Sequence, residues 1–227
     1  MTLTVYRELE QGTPEWLAAR AGILTASTIG KMVTPRTVKP ASNDTARTLA
    51  ETLIAERITG RVEYVHPSRD MQRGTLLEPF ARDLYARHHA PVAEVGFMRW
   101  DDPAGWTIGY SPDGLVGDNG LIEIKSRNAR VQLATIRTDS VPAANMAQLQ
   151  TGMLVTGRAW CDYVSYCPGM PLYVKRVFPD GAWAATLREV AAAFEETATA
   201  ALAGFAAATQ NMPPTEYFDP FGEDEIY

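Results

Sequence analysis

The chain has 227 residues, 21 basic and 27 acidic side chains, a formal net charge of −6 and 46% apolar residues. That is the composition of one globular domain with ample material for a core, and no window approaches the ~18 consecutive apolar residues of a membrane span. The two cysteines, Cys161 and Cys167, cannot build a disulfide framework or complete a four-thiolate zinc or iron–sulfur site, so buried inert thiols in a reducing cytoplasm are expected. Met1 to Gln11 carries Arg7, Glu8 and Glu10 and no apolar block, which argues against a signal peptide. Residues 1–140 balance 17 bases with 17 acids, and residues 141–227 carry the whole net charge. A basic groove on the N-terminal part is therefore allowed, though the charge alone does not demand one.

In chain order, Thr13-Pro14-Glu15 reads as a cap, a proline at the first helical position and a first-turn acid, opening a short helix through Arg20 that Gly22 ends. Thr25-Ala26-Ser27 precedes a second short helix toward Met32, and residues 34–43 are a polar loop with two prolines. Asp44 is expected to cap an amphipathic helix with Leu49, Leu53, Ile54 and Ile58 on one side and Gly60 as terminator. A third helical stretch runs from about Met71 to His89, interrupted by Pro79. Val92–Phe97, Trp106–Tyr110 and Leu121–Lys125 then read as strands separated by Asp101-Asp102-Pro103 and Asp118-Asn119-Gly120 turns. Pro142–Thr156 is a helix closed by Gly157, Trp160–Tyr166 and Leu172–Phe178 are a strand pair, and Asp180 opens a long alanine-rich helix to about Gln210. This order predicts an α/β or α+β domain with a mixed sheet, spanning residues 1–211. Residues 212–227, with five acids, no base and three prolines, read as an acidic, aromatic-containing tail.

The chemistry concentrates in Ser111-Pro112-Asp113-Gly114 and Glu123-Ile124-Lys125. Glu123 and Lys125 are two apart on an apolar strand and so share a face, while Asp113 lies in a turn at the end of the preceding strand. Charges inside such a strand are costly unless paired or bound to metal. Two carboxylates and a main-chain carbonyl suit Mg²⁺, and a lysine beside them can orient or deprotonate the water that attacks phosphorus. Singly, each piece has a plainer reading. The Asp113 segment is a common turn, Glu78 could be a solvated helix edge, and Gln148 and Gln150 could be surface amides. Arg20 could pair with Glu15 or Glu56, and Trp16 could be core. His66, His88 and His89 lack the spacing of a zinc site.

Together, Trp16-Leu17-Ala18-Ala19-Arg20, Gly22 to Ser27, Gly74 with Glu78, Ser111 to Gly114, Glu123-Ile124-Lys125, Ala147 to Gln150 and the aromatic strand Trp160–Tyr166 resemble the phage lambda-type exonucleases, the alkaline exonuclease or viral recombinase group. They follow its order over about two-thirds of the chain. The resemblance implies a restriction-endonuclease-like core with a mixed central sheet flanked by helices. It also implies a Mg²⁺-dependent 5′→3′ double-strand DNA exonuclease that leaves 3′ overhangs for phage-type recombination. Asp113, Glu123 and the Ile124 carbonyl would hold metal, with two ions expected and Mn²⁺ able to substitute. Lys125 would act on the attacking water, Glu78 would be an extra acid and Gln148 a helper. Arg20, Ser27 and Ser111 would hold the terminal 5′-phosphate. Family members form rings, so a homotrimer in the host cytoplasm is expected, with a single-strand annealing recombinase as a candidate partner and no membrane. The competing readings are a structure-specific endonuclease on the same core and a non-catalytic DNA-end-binding module. Residues 34–43 and the C-terminal third fall outside the resemblance, and DNA contacts by Arg36, Lys39, Arg127 or Arg130 rest on charge alone.

Overall fold

A computed structural model describes residues 2–62 and 66–218. Two four-stranded mixed sheets carry the fold. In the first, β1 (Thr2–Tyr6) pairs antiparallel with β5 (Phe97–Asp101), which pairs antiparallel with β6 (Thr107–Tyr110). The short β2 (Leu24–Thr25) joins β6 in parallel. In the second, β7 (Gly114–Val116) and β8 (Gly120–Ser126) form an antiparallel hairpin, β9 (Trp160–Tyr166) lies parallel to β8, and β10 (Tyr173–Val177) closes the edge. The parallel β8–β9 pair requires a long crossover, which α4 (Ala129–Thr138) and α5 (Ala143–Thr156) supply. The mixed α/β architecture flanked by helices agrees with expectation, but the sheet is divided in two. The segment Ser111-Pro112-Asp113 passes from one sheet to the other.

The helices cover β8 on both faces, as a buried central strand requires. Ile122 and Ile124 pack with Ala81 and Tyr85 of α3 (Arg69–His88), whereas Leu121 joins the larger core with Leu149 and Met153 of α5. That core extends to Leu49 and Leu53 of α2 (Asp44–Thr59) and to Leu187, Val190 and Phe194 of α6 (Gly181–Thr209). At Gly152 of α5 an added Cβ would lie 2.7 Å from the Tyr110 ring, so glycine lets helix and strand meet there.

Local signals set most boundaries. Thr13 accepts from the Trp16 N–H and opens α1 (Pro14–Arg20), Gly60 and Gly157 end α2 and α5 at φ 70 and 67, and Asp180 caps α6. Asn43, not Asp44, caps α2, accepting from Ala46 N–H at 2.9 Å. Pro79 lies inside a continuous α3. Its cost of about 3 kcal/mol is opposed by burial of Ala81 and Tyr85 two and six residues on. The strand expected at Val92–Phe97 runs instead from Phe97 to Asp101, because Gly96 lets the N-terminal loop press against it, where a Cβ would meet the Leu9 carbonyl oxygen at 2.1 Å. Ahead of it, Ala93 makes an isolated antiparallel bridge to Leu115. The loop 34–43 contains a small hairpin, β3 (Val33–Thr34) and β4 (Lys39–Pro40), with Val38 at φ 51. Residues 213–218 are exposed coil, with the Tyr217 ring 3.8 Å from the Arg61 guanidinium. The rest of the acidic tail lies outside the described residues.

Candidate active site

The site grows from the ends of two neighbouring strands. Because β2 and β6 run parallel, with Ala26 N–H donating to the Gly109 carbonyl at 2.9 Å, Ser27 and Ser111 leave the sheet at the same end. Ser111-Pro112 then delivers Asp113 to the β7–β8 hairpin. Asp113 Oδ2 accepts the Ile124 N–H at 2.6 Å, which fixes the carboxylate beside β8, and Oδ1 has no hydrogen bond among the described residues. Glu123 is 0% exposed. Its Oε1 accepts from Lys125 Nζ at 2.6 Å, whereas its Oε2 is buried with no hydrogen-bond partner among the described residues.

The electrostatics follow from burial. Desolvation, reinforced by Asp113, pushes the Glu123 carboxyl up to about 8, and desolvation with Asp113 pushes Glu78 up to about 7 despite Arg82. Burial also lifts Asp113, against the pull of Lys125. For Lys125, burial alone would lower the pKa, but Glu123 and Asp113 outweigh it and hold the amine as an ammonium. Lys125 is thus a hydrogen-bond donor to Glu123 rather than a free base.

Glu78 is not a free acid either. Arg82, one helical turn later, bonds its carboxylate, and the same guanidinium donates to the Asp113 carbonyl at 2.9 Å and to Glu94 at 2.6 Å. Arg82 therefore ties α3 to the Asp113 turn, and the resemblance pointed to Glu78 without it. An arginine at i+4 from an acid on a helix was the available signal.

The second group centres on Arg20. Its Nη2 reaches Thr25 Oγ1 at 3.3 Å and Ser27 Oγ at 3.5 Å, and its guanidinium lies 4.2 Å from the centre of the Trp16 ring. Trp16 Nε1 in turn donates to Ser111 Oγ at 3.0 Å. The buried indole thus connects Arg20 to Ser111, a bridging role that sequence reading missed along with Thr25. Arg20 does not pair with Glu56, whose Oε2 accepts the Gly22 N–H at 2.8 Å. Burial lowers the Arg20 pKa, and no carboxylate is ion-paired to it among the described residues.

One cavity of about 600 Å³ brings together all nine residues singled out from the sequence: Arg20, Ser27, Glu78, Ser111, Asp113, Glu123, Ile124, Lys125 and Gln148. Gln150 is structural, donating to the Phe178 carbonyl and accepting from Asp180 N–H, both at 2.9 Å. Of the candidates chosen on charge, Arg127 lines the cavity; Arg36, Lys39 and Arg130 do not. Cys161 and Cys167 are buried free thiols.

The donor set fits a hard divalent cation. Asp113 Oδ1 and Glu123 Oε2 are carboxylate oxygens without hydrogen-bond partners among the described residues, in a site where burial penalises their negative charge. No cluster of three or more His, Cys, Asp or Glu able to hold a metal occurs among the described residues, so a main-chain carbonyl and water would complete the shell.

A model of the YqaJ-like viral recombinase domain matches residues 15–159, which hold every one of these residues. The chain belongs to that family. It is 36% identical to the alkaline exonuclease LHK-Exo of Laribacter hongkongensis, over 88% of this chain and 100% of that one, with a TM-score of 0.77. The structure of LHK-Exo in complex with dAMP matches with a TM-score of 0.76, again at 36% identity over the same shares of the two chains. A phage related exonuclease from Haemophilus somnus 129PT shares the fold, with a TM-score of 0.61 at 13% identity over 81% of this chain and 96% of that one. The curated proteins contain no match. No helix among the described residues is long and apolar enough to cross a membrane.

Proposed function

We propose that the chain is a Mg²⁺-dependent 5′→3′ exonuclease of double-stranded DNA that exposes 3′ single strands for phage-type homologous recombination. The observation that carries the reading is the shared cavity, which sets an oxygen-ligand pair with an adjacent lysine beside a guanidinium–hydroxyl cluster. The second feature suits an end phosphate, which an endonuclease does not need. Family membership and the relative named as an alkaline exonuclease support the same reading, and dAMP, held by that relative, is the class of product such an enzyme releases.

Asp113 and Glu123, with the Ile124 carbonyl, would hold the metal, in a two-ion form with Mn²⁺ as a substitute. When bound, it supplies positive charge to the scissile phosphate and makes attack by water easier. Lys125 would orient the attacking water, and its ammonium would stabilise the negative charge that develops on the phosphoryl oxygens. Arg82 holds Glu78 and the Asp113 turn in fixed relation, and Gln148 faces the same space from α5. Arg20, Ser27 and Ser111 dock the terminal phosphate so that the next bond meets the metal site. The reading extends to a nuclease domain over residues 1–211 followed by an acidic tail, a cytoplasmic homotrimeric ring around duplex DNA and an annealing recombinase as partner.

A digest of linear and covalently closed circular duplex, with Mg²⁺ or with chelator, tests this. Mononucleotide release from linear DNA alone, and only with metal, is expected. Cutting of closed circles would favour the endonuclease, and intact linear DNA with Mg²⁺ would favour the end-binding module.

A further inference from the structure

The reaction above uses Glu123 and Lys125 but not the next residue on the same strand face. Side chains alternate along a strand, and Arg127, the residue just past the end of β8, continues that alternation on the side of Lys125. The pairing continues to that point, since Arg127 N–H donates to the Tyr166 carbonyl at 2.8 Å. Two residues advance about 6.6 Å along a strand, comparable to the step between neighbouring phosphates of an extended nucleic-acid strand. Arg127 borders the cavity that holds the carboxylates, and its charge is felt at Lys125.

Among the described residues, the guanidinium is held by neutral groups only. Its Nη2 donates to Asn145 Oδ1 at 2.6 Å and to the Tyr163 hydroxyl at 3.1 Å, on α5 and β9 respectively. Its Nε is buried without a partner, Nη1 makes no hydrogen bond and no carboxylate is ion-paired to it among the described residues. The adjacent Ser126 Oγ is likewise buried without a hydrogen-bond partner among the described residues. A cation oriented by an amide and a phenol, in a cavity wall, is set for a ligand that brings its own negative charge.

Resting on the exonuclease reading, we propose that Arg127 forms a phosphodiester subsite for the linkage immediately 3′ of the scissile bond. Arg20 takes the terminal phosphate, Lys125 faces the scissile one and Arg127 takes the next. Asn145 and Tyr163 are positioning residues for its guanidinium.

The test is single-turnover release of the first nucleotide from 5′-phosphorylated duplexes, unmodified or with an uncharged methylphosphonate at that next linkage. Loss of one charge-assisted contact should slow the wild type by about 10- to 100-fold on the modified strand. Arg127→Ala should lose about as much on normal DNA, and the methylphosphonate should then cost it less than about threefold more. Arg127→Lys, which keeps the charge but not the fork, should fall between. Thermal melts accompany each variant, and the wild-type comparison needs no variant to fold. Indifference of the active wild type to the methylphosphonate, or its full effect persisting in Arg127→Ala, overturns the subsite and leaves the exonuclease reading intact. A wild type that releases nothing from unmodified DNA overturns both.

Discussion

Replacing Arg20 by alanine should separate recognition of the strand end from cleavage of the bond. The Arg20 guanidinium is half-buried, lies 4.2 Å from the centre of the Trp16 ring and, among the described residues, hydrogen-bonds to hydroxyls alone, at 3.3 Å and 3.5 Å. Burial lowers its pKa, so part of its hydration is already lost before an anion arrives. Two charge-assisted bonds to a terminal phosphate are worth about 1.5–3 kcal/mol each. Solvent screening of a half-exposed group reduces the net to about 2–3 kcal/mol, or roughly a 30- to 150-fold preference. The assay is kcat/KM on one duplex sequence carrying either a 5′-phosphate or a 5′-hydroxyl. Wild type should favour the phosphate by that factor, and Arg20→Ala should cut both ends at the slow rate, because Asp113, Glu123 and Lys125 are untouched. Arg20→Lys should recover part of the preference, since a point charge cannot match the planar fork. Equal wild-type rates on the two ends, or an undiminished preference in Arg20→Ala, would refute the phosphate pocket.

Lys125→Ala should lower the rate by at least about 100-fold while metal still binds, whereas Asp113→Ala should weaken both; a loss within about tenfold, only ~1.4 kcal/mol, is too small for the role given to Lys125, and calorimetric Mn²⁺ titration beside kinetics reads the difference. The raised Glu78 and Glu123 carboxyls, at about 7 and 8, make the folded metal-free protein bind more protons than the unfolded chain above pH ~4.5, so its stability should fall as pH rises through that window toward 8. Metal needs these groups deprotonated, so Mn²⁺ should raise the melting temperature more at pH 8.5 than at pH 6, and an equal or reversed effect in thermal melts counts against the assignment. Gly152→Ala places a methyl 2.7 Å from the Tyr110 ring and should cost about 1–3 kcal/mol, read as a melting-temperature drop of about 2–10 °C.

The residues gathered in the cavity were more legible than the sheets that hold them. Asp113, Glu123 and Lys125 could be read because a period-two pair of charges in an apolar strand, preceded by a turn acid, has few cheap explanations. Helix ends were legible where a cap or glycine marks them, as at Thr13, Gly60, Gly157 and Asp180. Long-range pairing was not. β1 is a five-residue strand whose partner lies some ninety residues later, and nothing local announces that. The α4 helix was passed over although half its residues are apolar and Asn128 caps it, accepting from Val131 N–H at 3.0 Å. Arg82 and Trp16 act through hydrogen bonds to residues 31 and 95 positions away, Asp113 and Ser111. Such pairs become visible only once α1 and α3 are folded against the Ser111–Asp113 turn.

Polarity tests the central claim most directly. A linear duplex labelled at its 5′ ends and the same duplex labelled at its 3′ ends are digested with Mg²⁺, and release of label as mononucleotide is followed from the first turnover. The account predicts that the 5′ label appears at once as a nucleoside monophosphate while the 3′ label stays in single-stranded product. Early release of the 3′ label, or of both labels as internal fragments, would contradict it.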